Sequence, residues 1–336
     1  MPKRMTTIFV YEYCCALGLG REPSDPAHSL YREGRAMQDA LAADFAALPE
    51  TLVVTLENSF PDDEEARFRQ LTATADWTVV IAPEFDRILE ERCRWVQQSN
   101  GRLLGPNDEA VRLSADKYAL FEQWRSHGVP TPETWLFEEF PGIEYPVVVK
   151  PRYGAGSTDT SLQFHKPAAQ ARDEAHPFAC AAGLCQIVQP FIPGHAASVS
   201  FLVGKDRFIP LVPSFQKLTN DGLFQYQGGE LPIPPDLGAR AVRIATQAIA
   251  CVPGLLGYIG VDLVLGTNPD GSDDRAIEIN PRMTTSYVGL RALTTRNLAG
   301  AMLELANGIN AEPIEWSTDR IVFRPNGSIE RIERTD

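Results

Sequence analysis

Apolar and polar residues alternate along the chain in two distinct rhythms. Thr7-Ile8-Phe9-Val10-Tyr11 is β-branched and aromatic, the mark of a buried strand. Leu30, Met37, Leu41, Phe45 and Leu48 then recur at helical spacing. Leu52–Leu56 predicts a second strand, and Asp62–Ala75 a helix whose acidic opening suits its dipole. Thr78–Ala82 predicts a third strand, Phe85–Gln98 a third helix and Arg102–Gly105 a short fourth strand. Such alternation predicts a mostly parallel sheet with helices on its faces, and ligands beyond the carboxyl ends of its strands. Glu12, Glu57 and Glu84 each follow a predicted strand, as solvated loop carboxylates or as parts of a shared pocket.

The style changes after residue 110. Ser114–His127 predicts a helix, ended by Gly128-Val129-Pro130. Tyr145–Lys150 predicts a strand that runs into a loop of small residues, Pro151–Thr158, and a further strand unit centres on Gln186–Ile192. Strands follow at Ser198–Val203 and Phe208–Val212, then a long polar loop from Ser214 to Gln227 and a helix over Leu237–Ala250. Val261–Leu265, Ala276–Ile279 and Ile321–Phe323 predict strands, and Asn297–Ala306 a helix. The fold class is therefore α/β followed by α+β, with expected lobes at 1–110, 111–194 and 195–336.

Composition narrows the function. The 336 residues carry a formal net charge of −13, which repels phosphate backbones and anionic lipid. No apolar run reaches the roughly 18 residues of a membrane span, and the Thr6–Leu17 segment is interrupted by Glu12, so it reads as a strand and not a signal peptide. The six cysteines form no CxxC pair, so a reducing cytoplasm is expected. Small-molecule partners are expected, with no nucleic acid and no membrane. Whether the chain forms a homo-oligomer stays open.

Two stretches carry chemistry. Lys150 ends a strand, and Gly154, Gly156, Ser157 and Thr158 follow it. Glycines let backbone N–H groups approach an anion, and the lysine adds a point charge. This is not a Walker A loop, because the lysine precedes the glycines, and a surface hairpin fits the same pattern. Asp262 lies inside an apolar strand; Glu278 and Asn280, two apart, share one face of the next. Joined through the turn Asn268–Gly271, these strands can set three hard oxygen ligands around one Mg²⁺, with Mn²⁺ as a substitute.

Ser114-Ala115-Asp116-Lys117, Lys150 with its loop, Val188-Gln189-Pro190-Phe191-Ile192-Pro193-Gly194, and Asp262, Glu278 and Asn280 occur in this order. The combination resembles the ATP-grasp superfamily of carboxylate–amine ligases from about residue 105 to 310, and the leading lobe looks like that superfamily's N-terminal domain. The resemblance implies ATP as cofactor. It implies that Lys117 and Lys150 contact its phosphates, and that Gly154, Gly156 and Ser157 lie in a loop closing over them. Gln189 stands where the family usually has Glu facing the adenine amino group. Pro190 offers a carbonyl and Ile192 an N–H to the base. Lys217 is a candidate third phosphate contact. Ala196 stands where relatives often place a ribose-binding Glu, which leaves Ser198 or water for that task. Arg282, in Asn-Pro-Arg, is either a surface salt bridge or the group that stabilises the acyl phosphate and the tetrahedral intermediate, and Lys150 with Arg282 is the expected catalytic pair.

At finer grain, Glu278-Ile279-Asn280-Pro281-Arg282-Met283-Thr284-Thr285-Ser286-Tyr287-Val288-Gly289 resembles the tyramine–glutamate ligases of methanofuran biosynthesis. So do Phe9-Val10-Tyr11-Glu12-Tyr13, Glu33-Gly34, Ile81-Ala82-Pro83-Glu84-Phe85-Asp86 and Tyr226-Gln227-Gly228-Gly229. That resemblance implies joining the γ-carboxylate of glutamate to an aromatic amine. Glu12 and Glu84 would then attract its ammonium, and Tyr11, Tyr13 and Phe85 would either pack on its ring or fill the core. A small-molecule kinase, a nucleotide-binding regulatory module and a D-alanine–D-alanine-type ligase are the alternatives. The last usually has Arg where this chain has Gly260.

Overall fold

A computed structural model describes residues 4–154, 156–165 and 186–333. Ala155, Cys180 and Cys185, all part of the sequence reading, lie outside the described residues. Three sheets organise the described residues. In the first, Thr6–Glu12 lies between Thr51–Thr55 and Trp77–Ile81, all parallel. The helices His28–Ala46, Pro61–Thr74 and Ile88–Gln98 connect and cover them. Arg102–Gly105 does not form the expected strand; it meets this sheet only through a single bridge, Thr78 with Leu103.

The second sheet has four strands, in the order Trp135–Leu136, Gln186–Pro190, Val147–Pro151, Ser161–Gln163. Its Val147, Val149 and Val188 point to one side and form a small core with Phe137, Phe140, Ile143 and Tyr145. Period-two alternation turns Val148 and Lys150 to the other side. Gln189 lies opposite Val148, and Ile187 opposite Lys150, so Gln189 and Lys150 share that face.

The third sheet has eight strands. Gly194–Val203, Gly257–Gly266 and Arg275–Asn280 form its antiparallel centre. The expected loop from Ser214 to Gln227 is instead a hairpin, with strands Ser214–Leu218 and Tyr226–Leu231. Val199, Val261, Leu263, Ala276 and Ile279 face a core shared with the helix Pro235–Ala250.

The expected helix at Ser114–His127 is two helices, Asp108–Ala115 and Lys117–Ser126. They part at Asp116, whose extended backbone (ψ 95°) and carboxylate, accepting from the amides of Tyr118 and Ala119, cap the second. Leu120 and Trp124 of that helix pack into the core of the third sheet. A further core joins the first sheet to the third: Ile8, Val10, Met37, Leu41 and Phe45 pack with Tyr287, Leu290, Leu298 and Met302. No helix among the described residues is long and apolar enough to cross a membrane.

Candidate active site

Lys117, Lys150 and Asp262 come from three separate elements and converge with Glu278 and Asn280 of a fourth. Asp262 and Glu278 are register partners on neighbouring strands, and Gly260 opposite Asn280 continues the same face. The Asn280 amide donates to Asp262 at 3.0 Å and Gln216 donates to its other oxygen at 2.9 Å. Lys117 Nζ stands 3.3 Å from Glu278 and donates to the Gly154 carbonyl at 2.9 Å. One lysine thus touches both the metal-ligand candidate Glu278 and the glycine loop.

The charges bear on one another. Burial, and then the negative charge of Glu278, raise the Asp262 carboxyl to about 7. Burial also raises Glu278, but Lys117 and Lys150 outweigh it and hold that carboxyl below its ordinary value. Burial lowers the Lys150 ammonium to about 8, Glu278 opposes this, and Lys117 adds to it. Two buried carboxylates that repel, flanked by amide and hydroxyl oxygens, are a donor set suited to a hard divalent cation. The residues present therefore fit Mg²⁺.

Asp116, which sequence reading quoted without a role, anchors the start of the loop. It accepts from Arg152 at 2.7 and 2.6 Å and from the Tyr153 hydroxyl at 2.8 Å. The single helix expected over Ser114–His127 placed Asp116 in its interior, which hid this role. On the far side of the loop, the Ser157 hydroxyl donates to the Phe224 carbonyl at the hairpin tip.

On the sheet face that carries Lys150, Gln189 is buried and donates to Thr134 at 2.9 Å. Pro190 ends this inner strand and Ile192 follows it. Phe191 N–H is taken by the Pro146 carbonyl, and Ile192 N–H has no backbone partner among the described residues.

The remaining candidates lie apart from this cluster or beside it. Lys217 alternates with Gln216, which reaches Asp262, so its ammonium lies on the opposite face, 3.4 Å from Glu230. The structure does not bring it to the other lysines. Ser198 faces Asp262, its register partner, and hydrogen-bonds that carboxylate. Tyr11 is wholly buried against Phe9 and Phe68, with its hydroxyl on Glu64, and packs in the core rather than lining a pocket. Tyr13 and Phe85 pack against the same core.

Glu84 is not free to receive an ammonium. It pairs with Arg282, just after the strand Arg275–Asn280, at 2.9 Å to Nε and 3.1 Å to a terminal nitrogen. Arg282 is therefore no surface residue. Burial opposes its charge, but Glu84, Glu33 and Glu278 hold it firmly protonated.

Two other carboxylates share this region. Burial raises both Glu12 and Glu33 to about 7, and Arg282 pulls both back. Glu12 accepts from Cys15 N–H at 2.7 Å, whereas Glu33 makes no hydrogen bond or ion pair among the described residues. Gly34 makes room for Glu12, since a Cβ there would stand 2.2 Å from its Oε1.

Residues 114–286 match the ATP-grasp domain family, and residues 36–111 match the pre ATP-grasp 3 domain. The chain belongs to the ATP-grasp family. It is an ATP-dependent ligase of that fold. It is 28% identical to the tyramine–L-glutamate ligase of Methanocaldococcus jannaschii, over 89% of this chain and 89% of that protein. An ATP-grasp superfamily protein from Archaeoglobus fulgidus superposes with a TM-score of 0.70 at 24% identity, covering 95% of this chain and 92% of that one. The L-amino acid ligase of Bacillus licheniformis superposes with a TM-score of 0.63 at 16% identity, over 95% and 79%. These two similarities carry the ATP-grasp fold and nothing finer.

Proposed function

We propose that this ATP-grasp ligase joins the carboxylate of glutamate to the amine of tyramine or a tyrosine-like amine, as in methanofuran-type cofactor biosynthesis, with ATP converted to ADP and phosphate. The observation that carries the ligation chemistry is the convergence of Lys117, Lys150, Asp262, Glu278 and Asn280 beside a glycine loop. The substrate pair is supported by the relative's own activity.

In this reading ATP lies along the shared face of the four-stranded sheet, base against Gln189, Pro190 and Ile192, phosphates toward Lys150 and Lys117. Asp262, Glu278 and Asn280 hold Mg²⁺, which when bound neutralises phosphate charge. The glutamate carboxylate attacks the γ-phosphorus, ADP leaves, and the two lysines offset the charge that develops. Gly154, Gly156 and Ser157 cover the phosphates and keep water from the acyl phosphate. The neutral amine then attacks the acyl carbon, phosphate leaves and the amine's proton is released. Arg282, fixed by Glu84, faces the oxyanion of that step.

Glu84 being engaged, the ammonium falls to Glu33 and Glu12, two carboxylates facing one guanidinium already shared with Glu84. A cation brought between them offsets their desolvation. The lobes 1–110, 111–194 and 195–336 would then divide the labour into amine recognition, nucleotide binding and metal binding.

The test is direct. Full-length protein with ATP, Mg²⁺ and glutamate should release ADP on addition of tyramine and yield the amide by mass. Release that is equal with aliphatic amines removes the aromatic substrate and keeps the ligase. Release that never depends on glutamate removes the carboxylate.

A further inference from the structure

Thr134, outside the proposed nucleotide site, bears on which base that site accepts, and only the placement of the base is taken from that proposal. Gln189 is 5% exposed and sits on the Lys150 face of the four-stranded sheet, and Thr134 is 2% exposed beside it, just before the edge strand Trp135–Leu136. A glutamine amide has a donor end and an acceptor end of nearly equal size, so its neighbours decide which end faces a ligand. Here the neighbour is the Thr134 hydroxyl, 2.9 Å from Nε2.

That hydroxyl has one proton. The Pro132 carbonyl, which can only accept, lies 3.0 Å away and takes it. What remains on Thr134 toward Gln189 is a lone pair, which can only accept. Gln189 must therefore turn Nε2 to Thr134 and leave Oε1 for the proposed base site, and Oε1 makes no hydrogen bond among the described residues. An acceptor at that point pairs with the 6-amino group of adenine and opposes the 6-oxo group of guanine or hypoxanthine.

We propose that Thr134 is a positioning residue that sets base specificity: its hydroxyl, committed to the Pro132 carbonyl, locks the polarity of the Gln189 amide, so the site takes adenine and refuses 6-oxopurines. A carboxylate in place of Gln189 would need no lock, because both its ends accept. A glutamine without the lock is free to rotate and offer Nε2 to a 6-oxo group.

The experiment measures ATP and GTP affinities by calorimetry with the full chain and MgCl₂. Wild-type protein should prefer ATP by about 100-fold or more, as expected where a buried polar group is left unpaired by the wrong ligand. Thr134→Val keeps the shape without the hydroxyl, and should narrow the ratio at least tenfold, mainly by improving GTP. Thr134→Ser keeps the hydroxyl and should keep the ratio. Gln189→Glu placed on Thr134→Val should restore the preference for ATP. A merely structural role for Thr134 weakens both nucleotides together, so an unchanged ratio in Thr134→Val overturns this inference alone. Lost preference in the double variant overturns it as well. Wild-type protein that binds neither nucleotide overturns the nucleotide-site reading and this inference with it. Thr134→Ala gives the same readings should the valine variant not fold.

Discussion

At the scale of the residue, the charge state of Lys150 is set by what surrounds it. Burial, with Lys117 beside it, brings its ammonium down to about 8 from 10.5. The sign follows. Between about 8 and 10.5 the unfolded chain holds a proton that the native one lacks, so this group's contribution to stability grows as pH rises through that window. ATP affinity runs the other way. Below about 8 the charged lysine meets phosphate; above it, binding must first draw a proton from solution. ATP affinity is expected to fall about tenfold from pH 8 to pH 9.5. Proton uptake should show as calorimetric heats that depend on buffer ionisation at pH 8.5. Lys150→Arg should flatten both. An affinity constant to pH 9.5 in the wild type contradicts the assignment. A second residue speaks for packing. Gly34 lies within the helix His28–Ala46, where glycine costs about 1 kcal/mol relative to alanine. Gly34→Ala should nonetheless destabilise by about 1–3 kcal/mol, because its Cβ would meet Glu12. Urea denaturation measures this, and a gain in stability would mean that Glu12 moves freely. The sequence showed both residues, and a mid-helix glycine was the signal of a close approach. That the approach was to Glu12 depends on folding, which brings helix and strand end together.

At the scale of the element, most strands and helices were legible because their apolar residues keep a period of two or 3.6. The hairpin Ser214–Leu231 was not. Its strands carry Gln216, Lys217 and Gln227 where apolar residues would announce a strand, and Gly228 and Gly229 weaken the pattern further. Those glycines answer to packing: a Cβ at Gly229 would stand 2.6 Å from the Phe323 ring, and one at Gly228 would stand 2.1 Å from the Phe323 carbonyl. The hairpin matters because its tip holds the glycine loop. Phe224, in the left-handed region at φ 54°, presents its carbonyl to Ser157 and stacks its ring with Phe191 at 6.3 Å. The loop is therefore tied at both ends, by Asp116 and by Phe224. Ser157→Ala removes the second tie. Amide exchange in residues 156–160 should then quicken about fivefold without nucleotide, as loss of a bond contributing about 1 kcal/mol requires. A non-hydrolysable ATP analogue should restore protection through phosphate contacts. Exchange that is slow and identical in both proteins, with and without the analogue, would make this segment a rigid hairpin and remove its covering role.

At the scale of the molecule, the first and third sheets are one body, and no periodicity could have said so. Alternation tells which face of an element is apolar, not which distant element covers it. Helix His28–Ala46 closes its core against Tyr287 and Leu290, and Asp44 accepts from Arg291 at 3.0 Å and from Tyr287 at 2.6 Å. The Glu84–Arg282 pair ties the same two bodies beside the chemistry, and both side chains are largely hidden from water. Its strength shows in what one partner suffers alone. Glu84→Gln leaves a buried guanidinium without its counter-charge, a loss of about 3–5 kcal/mol. Urea unfolding should shift to a lower midpoint with an unchanged slope, since the surface exposed on unfolding stays the same. The double variant Glu84→Gln, Arg282→Met should recover much of that stability, because no unpaired charge remains to be buried. It should recover no ligase activity, because the guanidinium itself is gone. If Glu84→Gln were as stable as wild type, Arg282 would have another buried partner ready, and Glu33 is the carboxylate placed to supply it. Glu33→Gln on the Glu84→Gln background would then be the destabilising change, and its midpoint would decide which carboxylate carries the arginine.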